Sequence, residues 1–90
     1  MDKESILQEA ERIINGERRV DYGDASDCFK LIADLWSDYI SYRADEPYCF
    51  LAHDVAMMMC LMKIARTSTG AKKRDTYVDI AGYAALAADL

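Results

Sequence analysis

Apolar residues recur at helical spacing in four stretches of this chain, and strand-like alternation is nearly absent. In the first stretch Ile6, Ala10, Ile13 and Ile14 keep one face, with Leu7 beside them. Asn15 and Gly16 in "NGERR" are good helix-stop residues. The connector "VDYGD" carries Gly23, and Asp24 or Ser26 can cap the next helix. That second helix covers residues 25–42. Phe29, Ile32, Trp36 and Tyr39 form its apolar stripe, flanked by Leu35 and Ile40, while Asp27, Lys30, Asp34 and Asp38 form its wet side. "RADEPYC", with the single proline Pro47, is a loop. A third helix over residues 51–67 is apolar all round its middle, where Met57, Met58, Met59 and Met62 are adaptable packing residues. Such a helix reads as the most buried of a bundle. "TSTGAKK" is a second polar loop, and a fourth helix runs from Arg74 to the end of the sequence. The pattern predicts an all-α fold: one domain over residues 1–90, a compact bundle of four helices with short connections.

Composition adds an expectation about assembly. The chain is 52% apolar, enough for a core, but 90 residues bury only a modest share of their surface, which favours self-association into a homo-oligomer. Gly82, with Ala81, Ala84, Ala85 and Ala88, gives the last helix small faces for close helix approach, inside the bundle or between subunits. A net charge of −5 argues against binding a nucleic acid polymer through its backbone, yet leaves room for a small anion in a local basic pocket. Three cysteines without a CxxC, and one histidine, argue against zinc and against a disulfide framework. A reducing cytoplasm is the expected setting. The charged, amphipathic start is not a signal peptide, and the apolar run at residues 55–62 is too short to span a membrane.

Three constellations can carry chemistry. Asp75 and Asp79 are four apart and share a helix face. Magnesium needs several carboxylate oxygens, so a cage would also draw on Asp34 and Asp38, or on Asp54. The plainer alternative has Asp75 favouring the helix N-terminus and Asp79 pairing with a base on a neighbouring helix. Lys63 and Arg66, three apart near the end of the third helix, suit a phosphate rim, or equally a helix C-terminus with ion pairs to Asp79 or Asp75. Arg18, Arg19, Asp21 and Tyr22 surround Gly23 in a connector. They are either ligand contacts, with Tyr22 stacking on a base, or a capped turn with solvated arginines. Trp36, His53 and Tyr83 read first as packing or boundary residues. The sequence has no nucleophile elbow, P-loop or dinucleotide fingerprint, and no residue is assigned a catalytic role.

The segments "ERRVDYGDASDCFKLIADLW", "DVAMMMCLMKIAR" and "RDTYVDIAGYAALA" resemble small phage-encoded proteins that look related to MazG-like all-α nucleotide pyrophosphatases and to phage nucleotide-modification-associated domains. The resemblance covers residues 17–90. MazG-like enzymes hold magnesium on two acidic pairs from adjacent helices. Asp75 and Asp79 match the second pair, whereas "HDVAMMMCLMK" offers only Asp54 toward the first. Lys63, Arg66, Tyr83 and the "DYG" of Asp21, Tyr22 and Gly23 match the phage pattern. The resemblance therefore implies a binding protein of the infected bacterial cytoplasm rather than an enzyme, without a cofactor. It would hold a nucleotide or nucleotide-derived molecule, such as a host immune signal to be sequestered. Lys63 and Arg66 would meet phosphate, Asp79 a sugar hydroxyl or Lys63, and Tyr22 or Tyr83 a base. The alternative is a divergent magnesium-dependent NTP pyrophosphohydrolase using Asp75 and Asp79. A third reading is a protein-interaction module built on the alanine-rich and methionine-rich helices.

Overall fold

Carboxylates start the first two helices. Asp2 accepts from the Glu4 N–H, and Asp24 Oδ1 accepts from the N–H groups of Ser26 at 2.8 Å and Asp27 at 3.3 Å. Each satisfies backbone donors that a helix start leaves without partners. The computed structural model describes residues 1–16 and 23–90. Its elements are α1 (Lys3–Asn15), α2 (Ala25–Ala44), α3 (Ala52–Thr69) and α4 (Arg74–Ala88), with no strand among the described residues. The fold is the expected all-α one. Gly16 closes α1, and α2 stops where Asp45 turns left-handed at φ 55°, two residues beyond the predicted end. At the head of α3 the Asp54 carboxylate reaches back to the Leu51 N–H at 2.9 Å.

Two serines one turn apart on α2 hold the α2–α3 loop. Ser37 Oγ donates to the Ala33 carbonyl at 2.6 Å and accepts from the Phe50 N–H at 2.7 Å. Ser41 Oγ accepts from the Tyr48 N–H at 2.9 Å and donates to the Tyr48 carbonyl at 3.1 Å. Phe50 is thereby set edge-on against Trp36, ring centroids 6.2 Å apart. Ser37→Ala removes the acceptor of a half-buried N–H, so it should cost about 1–2 kcal/mol. A urea midpoint that does not move would show that water replaces the hydroxyl.

The helices pack in the order α2 on α3, α3 on α4, and α4 on α1. Phe29, Ala33, Val55, Ala56 and Ala87 form the core, with Trp36, Phe50, Tyr83 and Leu86 around it. The α1–α4 seam buries Ala10, Val78 and Gly82. A Cβ on Gly82 would lie 3.4 Å from Ile14 Cγ2, so this small face serves the chain's own interior. The Arg74 guanidinium reinforces the seam by donating to the Glu9 carboxylate, and at 2.8 Å to Ser5 Oγ.

Two expectations about burial are corrected. Helix α3 is not wrapped on all sides. Val55, Ala56 and Cys60 are buried and Met59 is half-buried, but Met57, Met58 and Met62 are exposed. Among the described residues only α2 and α4 pack closely on it, and two neighbours cover one side of a helix. On α2 the stripe narrows to Phe29, Ile32, Ala33 and Trp36, while Leu35 and Tyr39 face outward.

Candidate functional site

The C-terminal half of α1, the first turns of α2 and the C-terminal half of α4 enclose a cleft of about 670 Å³. Its apolar wall is Ile13 and Ile14 from α1, Phe29 from α2, and Val78, Tyr83 and Leu86 from α4. Asn15, Asp24, Ser26, Cys28, Asp79 and Asp89 supply the polar groups. Local sequence explains the shape. Gly82 brings α1 close, so the next side chain, Tyr83, stands at the junction with α2 and tilts against Phe29 at 6.2 Å. Asp79 lies one turn before Tyr83 and shares its face, so an aromatic ring and a carboxylate line one wall together.

Asp79 is held from behind. The Lys63 ammonium of α3 reaches its Oδ2 at 2.8 Å, and the two side chains are only 15% and 13% exposed. A charge-assisted contact this short and this shielded fixes the carboxylate in position. The structure thus brings together Lys63, Asp79 and Tyr83 of the predicted set. It separates Asp75 from Asp79: four residues of helix advance about 6 Å, and Asp75 is exposed in the first turn of α4, where a negative charge favours the helix dipole. Arg66 is exposed in the last turn of α3 and does not line the cleft. Arg18, Arg19, Asp21 and Tyr22 lie outside the described residues.

Of the other acids weighed for a metal cage, Asp34 and Asp38 are exposed on α2, and Asp54 binds the Leu51 N–H. Among the described residues no three His, Cys, Asp or Glu side chains converge as a metal-ligand group. Sequence reasoning missed Asn15, Asp24 and Asp89 as cleft residues. Asn15 and Asp24 read as a helix stop and a cap, and Asp24 is indeed the cap of α2. The described part of the lining holds three carboxylates, Asp24, Asp79 and Asp89, and no lysine or arginine. Such a surface suits hydroxyl and amino donors, and a phosphate there needs cations from elsewhere. Of the cysteines, Cys28 and Cys49 are exposed, whereas Cys60 is buried, lies 3.8 Å from the Ile80 carbonyl, and has its thiol pKa pushed up by burial. No helix among the described residues is long and apolar enough to cross a membrane.

Relatives place the chain among phage proteins. It is 52% identical over 80 residues to the "Gene 55 protein" of Mycobacterium phage L5, covering 89% of this chain and 48% of that one. The "Gene 55 protein" of Mycobacterium phage D29 is 46% identical over 81 residues, covering 90% of this chain and 50% of that one. The chain thus spans about half the length of these curated relatives. No solved structure matches it. The model of the family described as "Domain of unknown function (DUF6378)" matches residues 5–90, and the chain, a phage protein by its relatives, belongs to that family.

Proposed function

We propose that the protein binds a nucleoside-containing small molecule in the α1–α2–α4 cleft and holds it without turning it over. The observation that carries this reading is the pair on α4: Tyr83, and Asp79 clamped by Lys63, side by side on one wall of a cleft of ligand size. Tyr83 stacks on the base, and Asp79 accepts from a sugar hydroxyl. Lys63 gives Asp79 one of its three N–H donors and lines no described part of the cleft, so this reading uses it to position Asp79 and not as the phosphate contact. That role is assigned to Arg18 and Arg19. Asn15 and Gly23, which stand close on either side of residues 17–22 in the sequence, both line the cleft. Asp75 and Arg66 drop out of the proposed set because they are exposed and line no part of it. In a phage protein, tight binding without turnover is suited to sequestering a host signalling nucleotide.

Magnesium-dependent hydrolysis has less support. Asp79 already neutralises Lys63, and Asp34 and Asp38 are exposed on α2. The cleft supplies its own reporter. Cys28 lines it, Cys49 lies in the α2–α3 loop, and buried Cys60 is a poor nucleophile because its thiolate is disfavoured. A thiol reagent should therefore label two cysteines quickly and the third only on unfolding. Cyclic di- and trinucleotides, ADP-ribose derivatives and NTPs are then added in turn, with and without magnesium. The expected result is a compound that slows Cys28 labelling about tenfold or more, raises Tm, and is recovered intact, with Cys49 unaffected. Tyr83→Ala should abolish the protection. If every compound leaves Cys28 as reactive as before at millimolar concentration, the proposal fails. Magnesium-dependent release of pyrophosphate would replace it with the hydrolase.

A further inference from the structure

We infer that α1 is a releasable wall of the cleft: it leaves α4 as one unit while α2, α3 and α4 stay folded, and its release opens the cleft. The make-up of the core allows this separation. Phe29, Ala33, Val55, Ala56 and Ala87, and the half-buried apolar residues packed on them, come from α2, α3, α4 and the α2–α3 loop. Helix α1 contributes none of them. Its departure therefore takes no side chain out of that cluster.

The hold of α1 on the rest is a single seam. Among the described residues α1 packs closely on α4 alone. Ala10 is its one buried residue, Ile6, Ile13 and Ile14 are half-buried, and Leu7 is exposed. Across the seam α4 presents Gly82, where the approach is to one methyl of Ile14, so few side chains interlock. The Arg74 link to Glu9 and Ser5 is partly open to water, its two charged side chains 38% and 28% exposed, so solvent can replace much of it. An element with few buried apolar contacts opens at a lower free energy than the whole molecule. Once off α4, a helix of 13 residues is marginal in water, so release also melts it.

Release divides the cleft unevenly. Ile13, Ile14 and Asn15 leave with α1, whereas Phe29, Asp79 and Tyr83 stay on α2 and α4. On the nucleoside reading of the cleft, on which this consequence rests, a ligand meets the open Asp79–Tyr83 wall and α1 folds down over it. A ligand that touches both walls favours the docked state and shifts the population toward it.

Val78 supplies the test. It is 2% exposed, lines the cleft at the α1–α4 seam and is not part of the α2–α3–α4 core cluster. Cys60, 6% exposed, lies beside the Ile80 carbonyl between α3 and α4 and is the internal reference. In a Cys28→Ser/Cys49→Ser background, Val78→Cys is treated with a thiol reagent and the labelled sites are resolved by mass spectrometry. Position 78 should label about a hundredfold or more faster than Cys60, with a weaker dependence on urea because less surface opens. Arg74→Met should speed labelling at position 78 about fivefold or more and leave Cys60 unchanged. If both sites label in step, with one urea dependence, α1 leaves only when the whole chain unfolds and the inference is overturned. If Val78→Cys does not fold, amide exchange of the unaltered protein decides. Residues 7–14 should exchange together through one opening, well ahead of residues 55–62. Protection that climbs smoothly from each end toward Ala10 would mean fraying, and protection equal to that of α3 would mean global opening; either overturns it. No ligand enters any of these measurements, so they stand or fall separately from the ligand screen on Cys28.

Discussion

Asp79→Ala should destabilise the protein by about 3 kcal/mol, and Lys63→Met/Asp79→Leu should recover much of that loss. On an open surface such an ion pair contributes ~1 kcal/mol or less. Lys63 and Asp79 differ because both side chains are more than four-fifths covered, so water screens them little. Removing Asp79 leaves an ammonium between α3 and α4 without its carboxylate, and removing one partner of a fully buried pair costs about 3–5 kcal/mol. The residual exposure sets the expected value at the low end. Replacing both partners by apolar groups of similar length removes the uncompensated charge. Recovery should be partial, because Asp79 makes interactions besides the one with Lys63. The check is a double-mutant cycle on urea unfolding: a coupling energy of about 2 kcal/mol or more is expected. A coupling near zero would mean that the two charges are solvated independently. Asp79→Asn keeps the shape and an acceptor but loses the charge, so it should cost less stability than Asp79→Ala while still leaving the Lys63 ammonium without a carboxylate.

The same pair shows how much of the site was legible in the sequence. Pairing of Asp79 with a base on the third helix was one of two open readings, and spacing alone could not choose between them. Asp75 and Asp79 share a helix face, but periodicity does not say where along that face a neighbour begins. The structure sets only Asp79 beside α3's lysine. The helices themselves were legible from spacing, and for α2 a cap agrees with it: Asp24 both precedes an amphipathic run and accepts its first N–H groups. Helix α3 misled for the converse reason. A helix apolar all round can be surrounded by its own chain or finished by another, and the sequence reads the same in both cases. The cleft was the least legible feature. Asn15, Phe29 and Asp89 come from three different helix ends, and their convergence depends on how closely α1 approaches α4.

That approach depends on Gly82, and two substitutions there should move stability in opposite directions. Glycine inside a helix costs about 1 kcal/mol relative to alanine. The Cβ that alanine adds would meet a single methyl, Ile14 Cγ2, at 3.4 Å, an ordinary contact with the end of a side chain. Gly82→Ala should therefore be neutral or stabilising by up to about 1 kcal/mol. Gly82→Leu gains similar helix propensity, but its branch must enter the space that Ile14 and Ala10 fill at the seam. Overpacking costs about 1–3 kcal/mol, and here the upper end applies, because α4 is the helix on which α1 chiefly rests. The expected outcome is a loss of about 3 kcal/mol, or about 12–20 °C in Tm for a domain of this size. Amide exchange should localise the damage: residues 3–15 lose protection while the α2–α3 hairpin keeps it. Because Ile13, Ile14 and Asn15 form one wall of the cleft, Gly82→Leu should also abolish ligand protection of Cys28, whereas Gly82→Ala retains it. If leucine is accommodated without loss of stability, α1 does not rest tightly on Gly82, and the cleft it walls is not a fixed feature of the fold.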